Sequence, residues 1–126
     1  MVSSLLLILI SIHILFLLFH FAVLIKIIPH KIVWGGRLTT DKEMFSFEIV
    51  SLMITTLFTI ILFLKGNYFG NPLPPKIVNI CLWIMTVIYL FNSIGNFVSK
   101  NKLEKYIFGP IAIGQFVLLL IVLLSK

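Results

Sequence analysis

The sequence predicts an all-α fold, an antiparallel four-helix transmembrane bundle, and three observations support that prediction. Hydrophobic residues make up 60% of the chain and charged residues only 11%, with a mean hydropathy of +1.18, far outside the range of soluble domains. The apolar residues fall in four long blocks, and most charged residues lie in the short loops between them. Each block has roughly 19–25 residues, enough at about 1.5 Å per residue to cross a hydrocarbon core of about 30 Å. We therefore expect residues 1–126 to form a single transmembrane domain.

The first predicted span covers residues 4–28 and ends before Pro29. A secretory signal peptide would have a basic start, a shorter apolar run of about 7–15 residues and a cleavage site with small residues. This block has no basic start, a longer run and no such site. We interpret it as a retained membrane span.

The second predicted span covers residues 44–64 and has a clear start signal. The preceding Thr40-Asp41-Lys42-Glu43 is a capping box, in which the Thr40 hydroxyl accepts the Glu43 amide and the Glu43 side chain reaches back. This pattern gives Glu43 a structural role at a helix end rather than a catalytic one.

The third and fourth predicted spans cover residues 76–98 and 106–124. Pro75 suits the first turn of the third helix, where its missing amide hydrogen is not needed. Asn101 repeats the capping pattern before the fourth helix. Pro110 falls inside that helix and removes a backbone hydrogen bond, which predicts a kinked but continuous helix.

The basic residues at the span ends predict the orientation of the chain, whose net charge is +6. Four spans place the first and third loops on the same side of the membrane. These two loops and their flanks hold seven Lys or Arg residues, whereas the other side holds three, at Lys65, Lys76 and Lys126. The positive-inside rule then predicts a bacterial inner (cytoplasmic) membrane protein with both termini outside. Because the basic residues lie at span ends and not on one clustered face, they indicate membrane lipids as partners and no nucleic acid.

The cysteine count and the absence of known motifs argue against disulfide, metal and catalytic sites. A single cysteine, Cys81, excludes an internal disulfide, and its apolar block favours a packing role. The sequence has no His-Glu-x-x-His pattern, no nucleophile elbow and no phosphate-binding loop. We predict no metal, no cofactor and no catalytic residue.

Polar side chains inside hydrocarbon are costly and are therefore the candidate functional residues. Counted from the cytoplasmic ends at about 1.5 Å per residue, His20 and Asn92 lie about 10 Å deep and Glu48 about 6 Å deep. Glu48 is expected to be the only acid below the headgroups, whereas His13 and Gln115 are each expected to stand alone. The candidate ligand-binding residues are Trp34, Arg37, His20, Glu48, Asn92 and Asn96.

An alternative for the third span is purely structural. Asn, Ser and Thr often join transmembrane helices at about 0.6 kcal/mol each, or bond to their own helix. Glu48 is the residue for which a functional role is preferred, because joining helices does not require an acid.

The sequence contains the short segments Trp34-Gly35-Gly36-Arg37-Leu38, Glu48, Asn92-Ser93-Ile94-Gly95-Asn96, Ser99-Lys100 and Glu104. Together these segments resemble those of small four-span bacterial membrane proteins of uncharacterised activity. The resemblance covers most of the chain and implies no reaction.

Three classes of function stay open on the sequence. The first is binding or movement of a small polar ligand, ion or lipid headgroup at a polar patch on the cytoplasmic side. The second is a non-catalytic accessory, assembly or immunity-type protein. Besides membrane lipids, the partners expected are a second copy of the chain in a homo-oligomer or a partner membrane protein. The third is an intramembrane enzyme that acts on a lipid. The sequence favours the first and a role that is not enzymatic.

Overall fold

All four apolar blocks are helical in the computed structural model, which describes residues 2–29, 40–70 and 72–125. The helices are α1 (Val2–Leu24), α2 (Asp41–Gly66), α3 (Pro75–Phe97) and α4 (Gly109–Leu124), with a π-helical turn at Glu104–Phe108 directly before α4. Each of the four, with the π turn counted into the last, is long and apolar enough to cross a membrane. The prediction of an all-α four-helix bundle is confirmed, and the protein is a multi-pass membrane protein.

The predicted helix starts are confirmed by their hydrogen bonds. The Thr40 hydroxyl oxygen accepts the Glu43 amide at 3.1 Å and its hydrogen is donated to the Glu43 carboxylate at 2.9 Å. The Asn101 side-chain carbonyl accepts the Leu103 amide at 2.9 Å. Both caps satisfy amides that have no partner inside the helix.

Both helices of the first hairpin end beside a residue in the left-handed backbone conformation. α1 ends at Leu24, earlier than predicted, because Lys26 adopts a φ of 65° and the Ile27 amide bonds back to the Ala22 carbonyl at 2.9 Å. α2 ends in the same way at Gly66, where the following Asn67 adopts a φ of 57°. This geometry satisfies the last carbonyls of a helix, and asparagine tolerates it better than lysine does.

The irregularity in the fourth span is a π turn rather than a simple proline kink. The chain stays helical from residue 102 to 124, so the predicted continuity is confirmed. The Gly109 amide bonds to the Glu104 carbonyl, five residues back. Pro110 has no amide hydrogen and its ring crowds the carbonyl four residues before it, so a wider turn at that point relieves the clash. A side chain at Gly109 would lie 3.1 Å from the ring of Phe97, which shows how closely α3 approaches this turn.

The bundle consists of two helical hairpins, with α1 packed mainly on α2 and α3 mainly on α4. An apolar core joins the hairpins in the half of the bundle near the α2–α3 loop. Its fully buried side chains come from all four helices and include Leu9, Leu62, Leu82, Met85 and Leu119. The other half of the bundle holds most of the buried polar side chains.

Candidate functional site

A cavity of about 240 Å³ lies between the two hairpins, in the half of the bundle opposite the apolar core. We call it the interhairpin cavity. Side chains from α1, α2 and α3, and from α4 together with the π turn, form its wall. The polar ones are His13, His20, Ser51, Thr55, Tyr89, Asn92, Asn96, Glu104 and Gln115.

Glu48 is hydrogen-bonded to His20, a residue of the cavity wall, from the side of His20 that faces away from the cavity. Its side chain is fully buried and accepts a hydrogen bond from Nδ1 of His20, whose side chain is 15% exposed. His20 lines the cavity, whereas Glu48 does not. The prediction that the Glu48 carboxylate faces inward and reaches His20 is confirmed, and the geometry makes Glu48 a positioning residue. Because Nδ1 is engaged, Nε2 is the nitrogen that His20 can offer to a molecule in the cavity.

A second group of polar side chains, deeper in the bundle, links the two hairpins. Nδ1 of His13 lies 2.7 Å from the Leu9 carbonyl, so it carries the proton and donates. Nε2 of the neutral ring is then an acceptor for the Tyr89 hydroxyl at 2.5 Å. The side chain of Gln115 lies close to the Tyr89 hydroxyl. All three side chains are buried, and each lines the cavity.

The contact between His13 and Tyr89, with Gln115 beside it in the cavity wall, corrects the expectation that His13 and Gln115 stand alone. Depth counted along a helix does not give the direction in which a side chain leaves that helix. His13 and Tyr89 meet because α1 and α3 face each other at this level, with their rings edge to face and 5.7 Å between centroids. The polar 3–4 spacing that continues from Tyr89 along the third span was the signal available in the sequence.

A second buried acid, Glu104, corrects the expectation that Glu48 is the only one. Glu104 is 3% exposed and lines the cavity. Its place in the Asn101 capping pattern indicated a residue at the headgroups. The π turn begins at Glu104 and directs it, together with Phe108, toward the bundle interior.

The two predicted asparagines differ in their surroundings. Asn96 is buried and its amide donates to the backbone carbonyl of Asn92 at 2.9 Å, within its own helix. The side chain of Asn92 is exposed at the edge of the cavity. Both line the cavity, as their grouping with His20 predicted. Trp34 and Arg37 lie outside the described residues, so their part in the site stays a prediction.

Aromatic rings close one side of the cavity and its inner end. Phe108 of the π turn contacts Phe16 and Phe19 of α1, with ring centroids 5.8 and 5.4 Å apart. Phe58 of α2 meets Tyr89 at 5.8 Å, beside the apolar core. The wall of the cavity therefore combines polar side chains with apolar and aromatic ones, and Phe58 and Tyr89 close the end that faces the core.

Within residues 2–29, 40–70 and 72–125, no group of three or more His, Cys, Asp or Glu side chains is arranged to hold a metal ion. Comparison with protein-family models, curated proteins and solved structures finds no match for the chain. The geometry of the interhairpin cavity is thus the basis for assigning a function.

Proposed function

We propose that this membrane protein binds a small polar group in the interhairpin cavity. The observation that supports the proposal most is the division of the bundle into two unlike halves. In one half, hydrogen-bonding side chains from all four helical segments surround a space of about 240 Å³. In the other half, apolar side chains from all four helices form the core, and the buried hydroxyls of Thr59 and Thr86 bond to their own helices. A pocket closed at one end fits binding better than a continuous pore.

The wall chemistry assigns roles to individual residues. His20, oriented by Glu48, offers Nε2 as one contact, and the hydroxyls of Ser51 and Thr55 lie on the neighbouring helix. The Tyr89 pair with His13 forms the inner end. The volume is below the roughly 300–1,000 Å³ of pockets for drug-sized ligands, so the bound group is small.

Thiol chemistry tests whether polar molecules reach the cavity. In a Cys81→Ser background, a cysteine at Ser51 is expected to react with a small charged thiosulfonate reagent, because such reagents attack thiolates that water can reach. The measurement is the rate of modification, followed by mass spectrometry of the purified protein in nanodiscs.

The matched control is Met53→Cys, on the same helix but 66% exposed on the outside of the bundle, toward lipid. We expect no modification there. Equal protection of both thiols would contradict a polar cavity that solutes reach.

The same proposal includes the orientation, with both termini outside a bacterial cytoplasmic membrane and the cavity toward the cytoplasm. The bias in basic residues supports it. In the Cys81→Ser background, Phe69→Cys in the α2–α3 loop is expected to label from outside intact cells, and Lys100→Cys after α3 is not. Both residues are exposed. The reverse pattern would overturn the orientation.

A non-catalytic accessory role, with a partner membrane protein or a second copy, is the second candidate. A specific observation favours it: several buried polar side chains bond to their own helix. Thr59 donates to the Thr55 carbonyl at 2.7 Å, Thr86 to Leu82 at 2.7 Å and Ser93 to Leu90 at 2.8 Å. These groups need no ligand, and two unreactive thiols in the experiment above would favour this candidate.

A further inference from the structure

The interhairpin cavity is closed on one flank and open on the opposite one. The α1–α4 flank is covered by the contacts of Phe108 with Phe16 and Phe19. On the α2–α3 flank, Ile54 and Ile88 line the cavity and are nevertheless 44% and 43% exposed. Lining residues that are also exposed mark the mouth of a cavity, so this mouth lies between α2 and α3.

The mouth lies at the depth of the hydrocarbon core. Ile54 follows the first residue of α2 by 13 positions, and Ile88 follows the first residue of α3 by 13 positions. At about 1.5 Å per residue, each is about 20 Å from the start of a helix that spans the membrane, near its middle. The opening between α2 and α3 therefore faces lipid.

Polarity changes across this mouth from apolar to polar. Ile54 and Ile88 form the apolar rim, and the inner wall carries hydroxyl, amide and imidazole groups. Asn92 stands at the edge with its side chain exposed. An amide that faces hydrocarbon is costly unless something polar meets it. A molecule with a polar end inside the cavity and an apolar chain outside it suits both the polar inner wall and the apolar rim.

We propose that the occupant of the cavity is an amphiphile of the bilayer that enters sideways between α2 and α3. Its hydroxyl- or carbonyl-bearing headgroup lies against His20, Ser51 and Tyr89, and its acyl chain stays in the membrane beside Ile54 and Ile88. The described lining includes no Lys or Arg, which favours a hydrogen-bonding headgroup over a phosphate. This inference rests on the proposed binding function and names its ligand class.

Photolabelling in phosphatidylcholine nanodiscs tests the proposal. The probe is a monoacylglycerol with a diazirine near the ester end of its chain, and mass spectrometry locates the cross-links. We expect cross-links concentrated at Ile54 and Ile88 and lost on addition of unlabelled monoacylglycerol. Ile54→Trp, which fills the mouth, is expected to abolish the competed labelling.

The matched control is Leu15→Trp, because Leu15 is 66% exposed on α1 and does not line the cavity. It should leave the labelling unchanged. Asn92→Leu provides a second variant that removes the polar edge without adding bulk, and it should also lose the competed labelling. Size-exclusion elution of each variant shows that it is folded.

Two outcomes would overturn the proposal. Labelling spread evenly over exposed residues, without competition, would show ordinary lipid contact and no lateral site. Competition by free glycerol as strong as that by monoacylglycerol would show a water-soluble ligand. Neither outcome affects the reaction of the Ser51→Cys thiol, so failure of this inference is distinguishable from failure of the proposed function.

Discussion

Glu48→Gln is expected to abolish the function of the protein while the protein still accumulates in the membrane. The amide has nearly the same shape and still accepts a hydrogen bond from His20, so the fold is retained. A charge-assisted hydrogen bond becomes a neutral one of roughly half the strength, and the ring that offers Nε2 to the cavity is held less firmly. We expect a loss of stability of only about 1 kcal/mol. Complementation of a deletion strain, with immunoblots of the membrane fraction, measures both effects.

Thr59→Val is the matched control for this change. Thr59 is buried on the same helix, α2, but its hydroxyl bonds to the backbone of that helix. Its loss should leave function and protein level nearly unchanged. Full complementation by Glu48→Gln would show that the His20 contact serves the fold alone and would favour the accessory role.

Tyr89→Phe is expected to have the largest effect on stability. The Tyr89 hydroxyl donates to Nε2 of His13 on the other hairpin, and its removal leaves the fully buried His13 ring without that partner. An unsatisfied buried group costs about 1–3 kcal/mol, whereas hydrogen bonds between transmembrane helices average about 0.6 kcal/mol. Because Nε2 of His13 would stay buried without a partner, we expect a loss of about 1–3 kcal/mol. Reversible unfolding in mixed micelles measures it.

Thr86→Val separates this effect from the loss of any buried hydroxyl on α3. Thr86 lies one turn before Tyr89 and is 2% exposed, and its hydroxyl bonds to the Leu82 carbonyl of the same helix. We expect it to change stability by only a few tenths of a kcal/mol. Similar losses for the two variants would show that the link between hairpins contributes little.

The helices and their starts were predictable from the sequence because local rules determine them. A block of apolar residues needs no knowledge of its neighbours to favour a membrane span. The caps at Thr40 and Asn101 likewise depend on residues within one turn. The end of α1 was misplaced because Lys26, a residue that seldom adopts a left-handed conformation, terminates the helix.

The polar contacts were predictable only in part, because depth can be counted along a helix but direction cannot. The pairing of His20 with Glu48 follows from matching depths on adjacent helices of one hairpin. The His13–Tyr89 contact joins different hairpins, so it depends on how these pack, which no short pattern encodes. The burial of Glu104 was not predictable, because Pro110 indicates only an irregularity in the fourth helix and not the π turn that directs Glu104 inward.

The π turn at Glu104–Phe108 sets the angular phase of its residues relative to α4. A regular α-helix turns by about 100° per residue, so one extra residue within a turn rotates everything before it by about that angle. The packing of α4 against α3 therefore does not fix which way Glu104 points. A shift of the extra residue along the helix would exchange the side chain presented to the cavity while α4 stayed in place. The acid in the wall thus depends on the position of a single backbone irregularity.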